Sequence, residues 1–253
     1  METKLPNALK PLIRWTIGSY ELDPIGLECL KTSVICFKKI YNNIDTIITY
    51  NCFPKHLLDK LKQVSEITET PIYEQRLSEN KLIIPPKQNH GSWKLCPARL
   101  RPQSHEIFID NDLVIFRKNN RINKFLENTK YAIITADIDR FYGSLEFDLP
   151  MNLKCCNGFF GLPPYYDLDA AINQSLNTLS YKKWEAYHDE QSMVIHAMHR
   201  DFQSNMLQIP IEEISVCALN TFKAATHGHH FVGLNRGRIN AWNHWLNRRQ
   251  KLL

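Results

Sequence analysis

The stretch His105-Glu106-Ile107-Phe108-Ile109-Asp110-Asn111-Asp112-Leu113-Val114-Ile115-Phe116 sets an Asp-x-Asp pair between two apolar runs. The run Ile107 to Ile109 is β-branched and aromatic, which predicts a buried strand. Such a strand must end where two carboxylates appear, because unpaired charges do not remain inside an apolar sheet. Alternate side chains of extended chain share a face, so Asp110 and Asp112 can turn toward one point at the strand's carboxyl end. Two hard oxygen donors at a sheet edge suit Mg²⁺ or Mn²⁺, and such an ion seats a diphosphate. The plain alternative is a solvated turn, but an Asp pair caught between two strand-like runs needs a reason.

Working toward the N-terminus, the chain alternates. Residues 10–19 (KPLIRWTIGS) read as a strand. Residues 24–41 (PIGLECLKTSVICFKKIY) have helical spacing and a basic end, residues 44–50 (IDTIITY) read as a strand, and residues 54–64 (PKHLLDKLKQV) as a helix with proline at its start. A β-α-β-α order predicts a parallel sheet with right-handed crossovers, with ligands at the carboxyl ends of its strands. Thr16, Ser19, Tyr50 and Asn51 would rim a nucleotide-sized crevice there. No Gly-x-Gly-x-x-Gly and no P-loop follows either strand, which argues against a dinucleotide or ATPase site. Residues 92–101 (SWKLCPARLR) bring Lys94 and Arg99, which could reach donor phosphates or simply form a solvated face.

Toward the C-terminus a helix is expected to begin at residues 124–126, and residues 131–138 (YAIITADI) read as a strand. A second pair follows it, Asp137 and Asp139, with Arg140 beside it to neutralise it. Residues 156–164 (CNGFFGLPP) read as a strand and turn in which Gly158 and Gly161 allow close backbone approach to a ligand or make a bulge. A helix over 166–179 is capped by Asp167 or Asp169. Residues 184–199 (WEAYHDEQSMVIHAMH) read as a helix with Asp189, Glu190 and Gln191 near its start, serving as dipole partners or holding sugar hydroxyls. Residues 211–219 read as a strand. Residues 226–236 (THGHHFVGLNR) gather His227, His229 and His230 in a turn, where a neutral imidazole could complete a two-carboxylate metal site. The tail from 236 has five basic residues (Arg236, Arg238, Arg248, Arg249, Lys251) and Ile239, Trp242, Trp245 and Leu246 on one helical side. It reads as a closing helix packed on the body, or as a contact with an anionic membrane surface.

Composition sets the outer limits. The chain has 253 residues, 43% hydrophobic and 23% charged, which is ordinary for a globular α/β protein. A net charge of +5 is too mild and too scattered for a nucleic-acid binder. The seven cysteines lack metal spacing, which points to a reducing, cytoplasmic setting. Neither a secretory signal nor a membrane-spanning run is read in the sequence.

With these residues in view, Asp110-Asn111-Asp112 after an apolar strand resembles the metal-binding motif of nucleotide-sugar glycosyltransferases of the GT-A fold. The segment His230-Phe231-Val232-Gly233-Leu234-Asn235-Arg236 resembles the His-Phe-x-Gly-x-x-Lys segment of the glycogenin-like and bacterial galactosyltransferase-like members. Arginine stands in place of the lysine, and Gly237 where proline is usual. The resemblance implies a single α/β GT-A (Rossmann-like) domain over 1–235, with a mostly parallel central sheet flanked by helices, and a basic, Trp-containing helix over 236–253. It implies Asp110, Asp112 and His230 as ligands of Mn²⁺ or Mg²⁺. Thr16, Ser19, Asn51, Lys94, Arg99, Asn111 and Arg236 would contact a UDP-sugar donor. Asn157, Asp189, Glu190 and Gln191 would lie about the reaction centre and a saccharide or other hydroxyl acceptor. It leans toward retention of anomeric configuration; an inverting enzyme would need Asp189 or Glu190 as base. Three rival readings remain. One is a haloacid-dehalogenase-type phosphohydrolase with Asp110 as nucleophile, although two βα units precede that residue. A nucleotidyltransferase would want more glycine than Thr16-Ile17-Gly18-Ser19 offers. A non-catalytic sugar-binding module would use the carboxylates for Ca²⁺ alone.

Overall fold

A computed structural model describes residues 10–18, 24–87, 91–186, 188–217, 224–232 and 239–249. The strands are β1 (Leu12–Ile17), β2 (Asp45–Tyr50), β3 (Ile72–Glu74), β4 (Glu106–Asp110), β5 (Leu113–Ile115), β6 (Ala132–Ala136), β7 (Cys155–Leu162), β8 (Met206–Ile209), β9 (Ile214–Val216) and β10 (Gly228–His230). The helices are α1 (Pro24–Ile40), α2 (Lys55–Thr68), α3 (Asn120–Leu126), α4 (Leu168–Thr178), α5 (Asp189–Phe202) and α6 (Ile239–Arg249). Seven strands form the main sheet in the order β3-β2-β1-β4-β7-β6-β8, and β5-β10-β9 form a smaller one. Only the two neighbours of β7 pair antiparallel with it; the other main-sheet pairs are parallel. The expected mostly parallel sheet flanked by helices is therefore present.

Strand alternation divides the core. Ile13, Trp15, Ile17, Ile107 and Ile109 pack with α1, α2 and α3 on one face. Phe108, Ile134 and Phe160 pack with α4 and α5 on the other. By the same period, Arg14, Thr16 and Asp110 take the α4/α5 side, so the polar ends of β1 and β4 meet there.

That face buries charge as well as hydrocarbon. Arg14 and Glu106 are each fully inaccessible. The Glu106 carboxylate lies 3.5 Å from Arg14 and 3.6 Å from Arg99, and it accepts the amides of Leu100 and Arg101. Burial lowers the Arg14 pKa to about 10, with Glu106 opposing the shift. The Arg14 guanidinium also covers the Phe108 ring at 4.1 Å and donates to the carbonyls of Lys94, Pro97 and Ala98. A sequence-neutral arginine in a strand thus ties down the loop that carries Lys94.

Several element boundaries differ from the sequence expectation, and α2 runs on to Thr68 rather than ending at 64. The third helix starts at Asn120, because the Asn119 side chain caps the amides of Arg121 and Ile122. The fifth starts at Asp189 rather than Trp184, because the Asp189 carboxylate gathers the amides of Glu185 and Ala186 in a preceding turn. The strand expected over 211–219 shrinks to β9, with residues 218–219 outside the described ones. Strands β3 and β8, which edge the main sheet, were not foreseen.

The tail helix α6 packs on the body. Trp242 and Trp245 are buried, and their rings meet Phe231 at 5.1 and 5.8 Å. The aromatic side of the helix thus faces protein, as the reading of a closing helix packed on the body expects. No helix among the described residues is long and apolar enough to cross a membrane.

Candidate active site

Asp110 is the last residue of β4, and Asp112 lies in the tight turn into β5. Strand β5 leaves the main sheet and pairs antiparallel with β10, setting Leu113 opposite His230. The Phe231 amide donates to the Asp112 carbonyl at 2.8 Å, and the Cys217 amide to the His230 carbonyl at 2.8 Å. These main-chain bonds bring an imidazole from 118 residues downstream to the acid pair. One ligand atom from each of Asp110, Asp112 and His230 lies within 4.8 Å of the others. His230 Nε2 is 3.1 Å from Asp112 Oδ1. Burial works against a charged ring, yet Cys156 and Asp112 raise the His230 pKa well above its ordinary value. The donor set, two carboxylates and one imidazole, fits Mn²⁺ or Mg²⁺.

A cavity that reaches this cluster at Asp110 alone of its three residues is lined by Thr16, Lys94, Asp110, Asn157, Phe160 and Glu190, among others. Lys94 Nζ donates to Asp110 Oδ1 at 2.9 Å, and the Thr16 hydroxyl reaches the same oxygen at 3.5 Å. The Lys94 carbonyl is held by Arg14 and by Gln75, and the Gln75 carbonyl accepts from Asn51 at 2.6 Å. The end of β2 is therefore linked to Lys94 through hydrogen bonds. Asn111 is buried within the turn.

The three residues Asp189, Glu190 and Gln191 separate in role. Both oxygens of Asp189 are occupied by the Tyr181 hydroxyl and by the amides of Ser144, Glu185 and Ala186. Burial pushes the Asp189 pKa up, but these hydrogen bonds bring it below the ordinary carboxylate range. Asp189 is thus a loop organiser, which corrects its expected contact with an acceptor. Gln191 donates to the Phe141 carbonyl at 2.7 Å and accepts the Asn157 amide at 3.4 Å, so it fixes Asn157 in place. Glu190 alone of the three lines the cavity. Its pKa is raised by burial and by Asp110, with Lys94 opposing. Asn157 donates to it at 3.4 Å. A Cβ on Gly91 would stand 2.7 Å from the Glu190 carboxylate, so that glycine makes room for it.

Arg99 is the clear misplacement. Its guanidinium donates to the carbonyls of Pro163, Tyr166, Arg101 and Ser104 beside the start of β4. Four residues of extended chain, roughly 13 Å, separate that end from Asp110. Burial lowers its pKa and Glu106 opposes the shift, so Arg99 serves the core and not a phosphate. Ser19 and Arg236, both expected at the donor site, lie outside the described residues.

Two features escaped the sequence. Pairing of β6 with β7 shifts from Ile134↔Phe160 to Thr135↔Cys156, so residues 157–159 bulge from that ladder. The bulge aims Asn157 into the cavity and lays the Gly158 backbone against His230, where a Cβ would fall 2.2 Å from ring atom Cε1. Close approach at Gly158 is therefore to a side chain. At Gly161 the crowding comes from Ile133 and Phe125, a core contact. The second feature is the surroundings of Asp137, for which the sequence offers Arg140 as the neutralising partner. Arg140 instead binds Glu146 and carbonyls of its own loop. Asp137 is buried, which raises its pKa, while the Ile138 amide and His230 act to lower it.

No protein-family model matches the chain, and no curated sequence does. Solved structures do resemble it. The bifunctional glycosyltransferase WbbM aligns with a TM-score of 0.60 at 10% identity over 91% of this chain, which spans only 47% of that protein. The galactosyltransferase LgtC, solved with donor and acceptor sugar analogues, aligns with a TM-score of 0.56 at 9% identity over 88% of this chain and 87% of its own.

The chain has the GT-A fold.

The GT-A match extends to the glycosyltransferase GlyE of Streptococcus pneumoniae TIGR4, with a TM-score of 0.52 at 10% identity over 95% of this chain and 64% of that one. At such identities the likeness establishes architecture. The chemistry has to be argued from the side chains at the carboxyl edge of the GT-A sheet.

Proposed function

We propose that the chain is a metal-dependent glycosyltransferase that moves a sugar from a nucleotide-diphosphate donor, a UDP-sugar, to a hydroxyl group of a saccharide acceptor. The observation that carries this reading is the meeting of Asp110, Asp112 and His230 at one point on a GT-A sheet. These three would hold Mn²⁺ or Mg²⁺. When bound, the ion supplies positive charge to a leaving diphosphate. LgtC, of the same fold, was solved with donor and acceptor sugar analogues, which supports a two-sugar reaction here.

The chain's own residues have distinct tasks in this reading. Lys94 offers a second positive charge beside Asp110 and is oriented through its carbonyl by Arg14 and Gln75. Thr16 and Asn51 stand at the carboxyl ends of β1 and β2, the side suited to a nucleoside. Ser19 and Arg236 remain candidates for donor contact. Glu190 is the carboxylate that faces the transferred sugar or the acceptor hydroxyl, with Asn157 holding it. Glu190→Gln keeps the shape and removes the charge. Turnover should fall about 10²- to 10⁴-fold while UDP affinity stays the same, read from initial rates and calorimetry. Equal rates in the two proteins would remove Glu190 from the chemistry.

The reading as a whole is tested by calorimetric titration with UDP, with and without Mn²⁺. UDP should bind far more tightly with the ion, because Asp110, Asp112 and His230 would hold a positive charge that offsets the diphosphate. A sugar-binding module would ignore the nucleotide, and a phosphohydrolase would instead cleave a generic phosphate ester.

A further inference from the structure

We infer that Cys156 is a positioning residue, whose sulfur fixes the His230 ring with Nε2 turned to the acid pair and the ring proton on Nδ1. The inference rests on His230 holding a cation, as proposed above. The two ring nitrogens have different neighbours: Nε2 is 3.1 Å from Asp112 Oδ1, and Nδ1 is 3.6 Å from Cys156 Sγ. An imidazole that gives its Nε2 lone pair to a cation carries its proton on Nδ1. That N–H needs an acceptor, and the place is buried: Cys156 is 6% exposed and His230 4%. Carboxylates, carbonyls and water usually fill this role beside metal-binding histidines. Here the atom in reach is sulfur.

The strand holds that sulfur still. Cys156 is the last residue paired with Thr135 before the bulge, and the Thr135 hydroxyl donates to its carbonyl at 3.0 Å. Two residues on, the Gly158 amide donates to the same Sγ at 3.4 Å. Gly158 also closes against the imidazole, so one short segment supplies both a wall and an acceptor to the ring. The adjacent Cys155 is engaged elsewhere, accepting from Gln208 Nε2 at 3.3 Å. The two neighbouring cysteines, unsuited to share a metal, therefore have separate partners.

The test uses the full chain stripped of metal and titrated with Mn²⁺ by calorimetry, comparing wild type, Cys156→Ala, Cys156→Ser and Asp112→Ala. Cys156→Ala should weaken Mn²⁺ about 10- to 100-fold, the range found when such outer partners are removed. Cys156→Ser, which restores an acceptor, should recover most of that loss. NMR of the Mg²⁺-saturated protein should show a His230 Nδ1–H that exchanges slowly with solvent in wild type and much faster in Cys156→Ala. Unchanged affinity and Nδ1–H exchange in Cys156→Ala, with binding lost in Asp112→Ala, would overturn the positioning role and leave the metal reading intact. Equal weakening in both cysteine variants, tracking a lower melting temperature, would assign Cys156 to packing alone and also overturn it. A wild-type chain that takes up no Mn²⁺ would end both readings.

Discussion

Asp112→Ala should abolish the effect of Mn²⁺ on UDP binding and reduce sugar transfer by about 10³-fold or more, since both the charge at the leaving group and its orientation are lost together. The substitution is well suited to the question. Asp112 contributes to the fold through its carbonyl, which accepts the Phe231 amide, and alanine retains that bond. Its side chain touches His230 and little else among the described contacts. The melting temperature should therefore change little while function disappears. Calorimetry with UDP and Mn²⁺, initial rates and a thermal melt on one preparation make the check. A variant that still responds to Mn²⁺ would dismiss the proposed ligand set.

Gly158→Ala should be nearly as damaging, although glycine has no chemistry of its own. The new Cβ would fall 2.2 Å from Cε1, 2.8 Å from Nδ1 and 2.9 Å from Nε2 of His230. Neither side yields easily. The ring is backed by Asp112, and strand β7 is pinned to β4 through the pair Ile109↔Phe159. Mn²⁺ affinity should fall at least about 10-fold as the ring is displaced, with a stability cost of about 1–3 kcal/mol for overpacking. Gly161→Ala is the matched control. Its Cβ would meet Ile133 and Phe125 at 2.7 and 2.9 Å. It should lower the melting temperature and leave Mn²⁺ affinity alone. If both alanines had the same profile, Gly158 would be a packing glycine only.

Both predictions concern the seam between two sheets, and that seam marks how far the sequence could be read. The β-α-β-α start, the buried strand before Asp110 and the helix boundaries at Pro24 and Lys55 follow from local periodicity and from proline placement. Periodicity is a property of neighbours in the chain, so it survives without a fold. The pairing of Asp110 and Asp112 with His230 was reached through resemblance of two short motifs. Nothing local to either stretch specifies that β10 lies against β5.

Arg99 and Lys94 show the limit plainly. Five residues apart in one basic segment, they looked alike. The fold turned Lys94 to Asp110 and buried Arg99 against Glu106 and four carbonyls. Asp189 and Glu190, adjacent and both acidic, parted in the same way. One was enclosed by donors from its own loop, and the other faced the cavity.

The sequence by itself determined most of the segments that extend or coil, though not the edge strands β3 and β8, and that hard oxygen donors stand at a strand's end, because spacing and residue type act over a few residues. Only the tertiary structure decided which charges are free to act on a ligand. That choice depends on groups brought together from distant parts of the chain: the bulge at 157–159, the β5–β10 pairing and the buried Arg14–Glu106–Arg99 group. A carboxylate or guanidinium surrounded by partners from its own fold is committed to that fold, and burial makes the commitment costly to reverse.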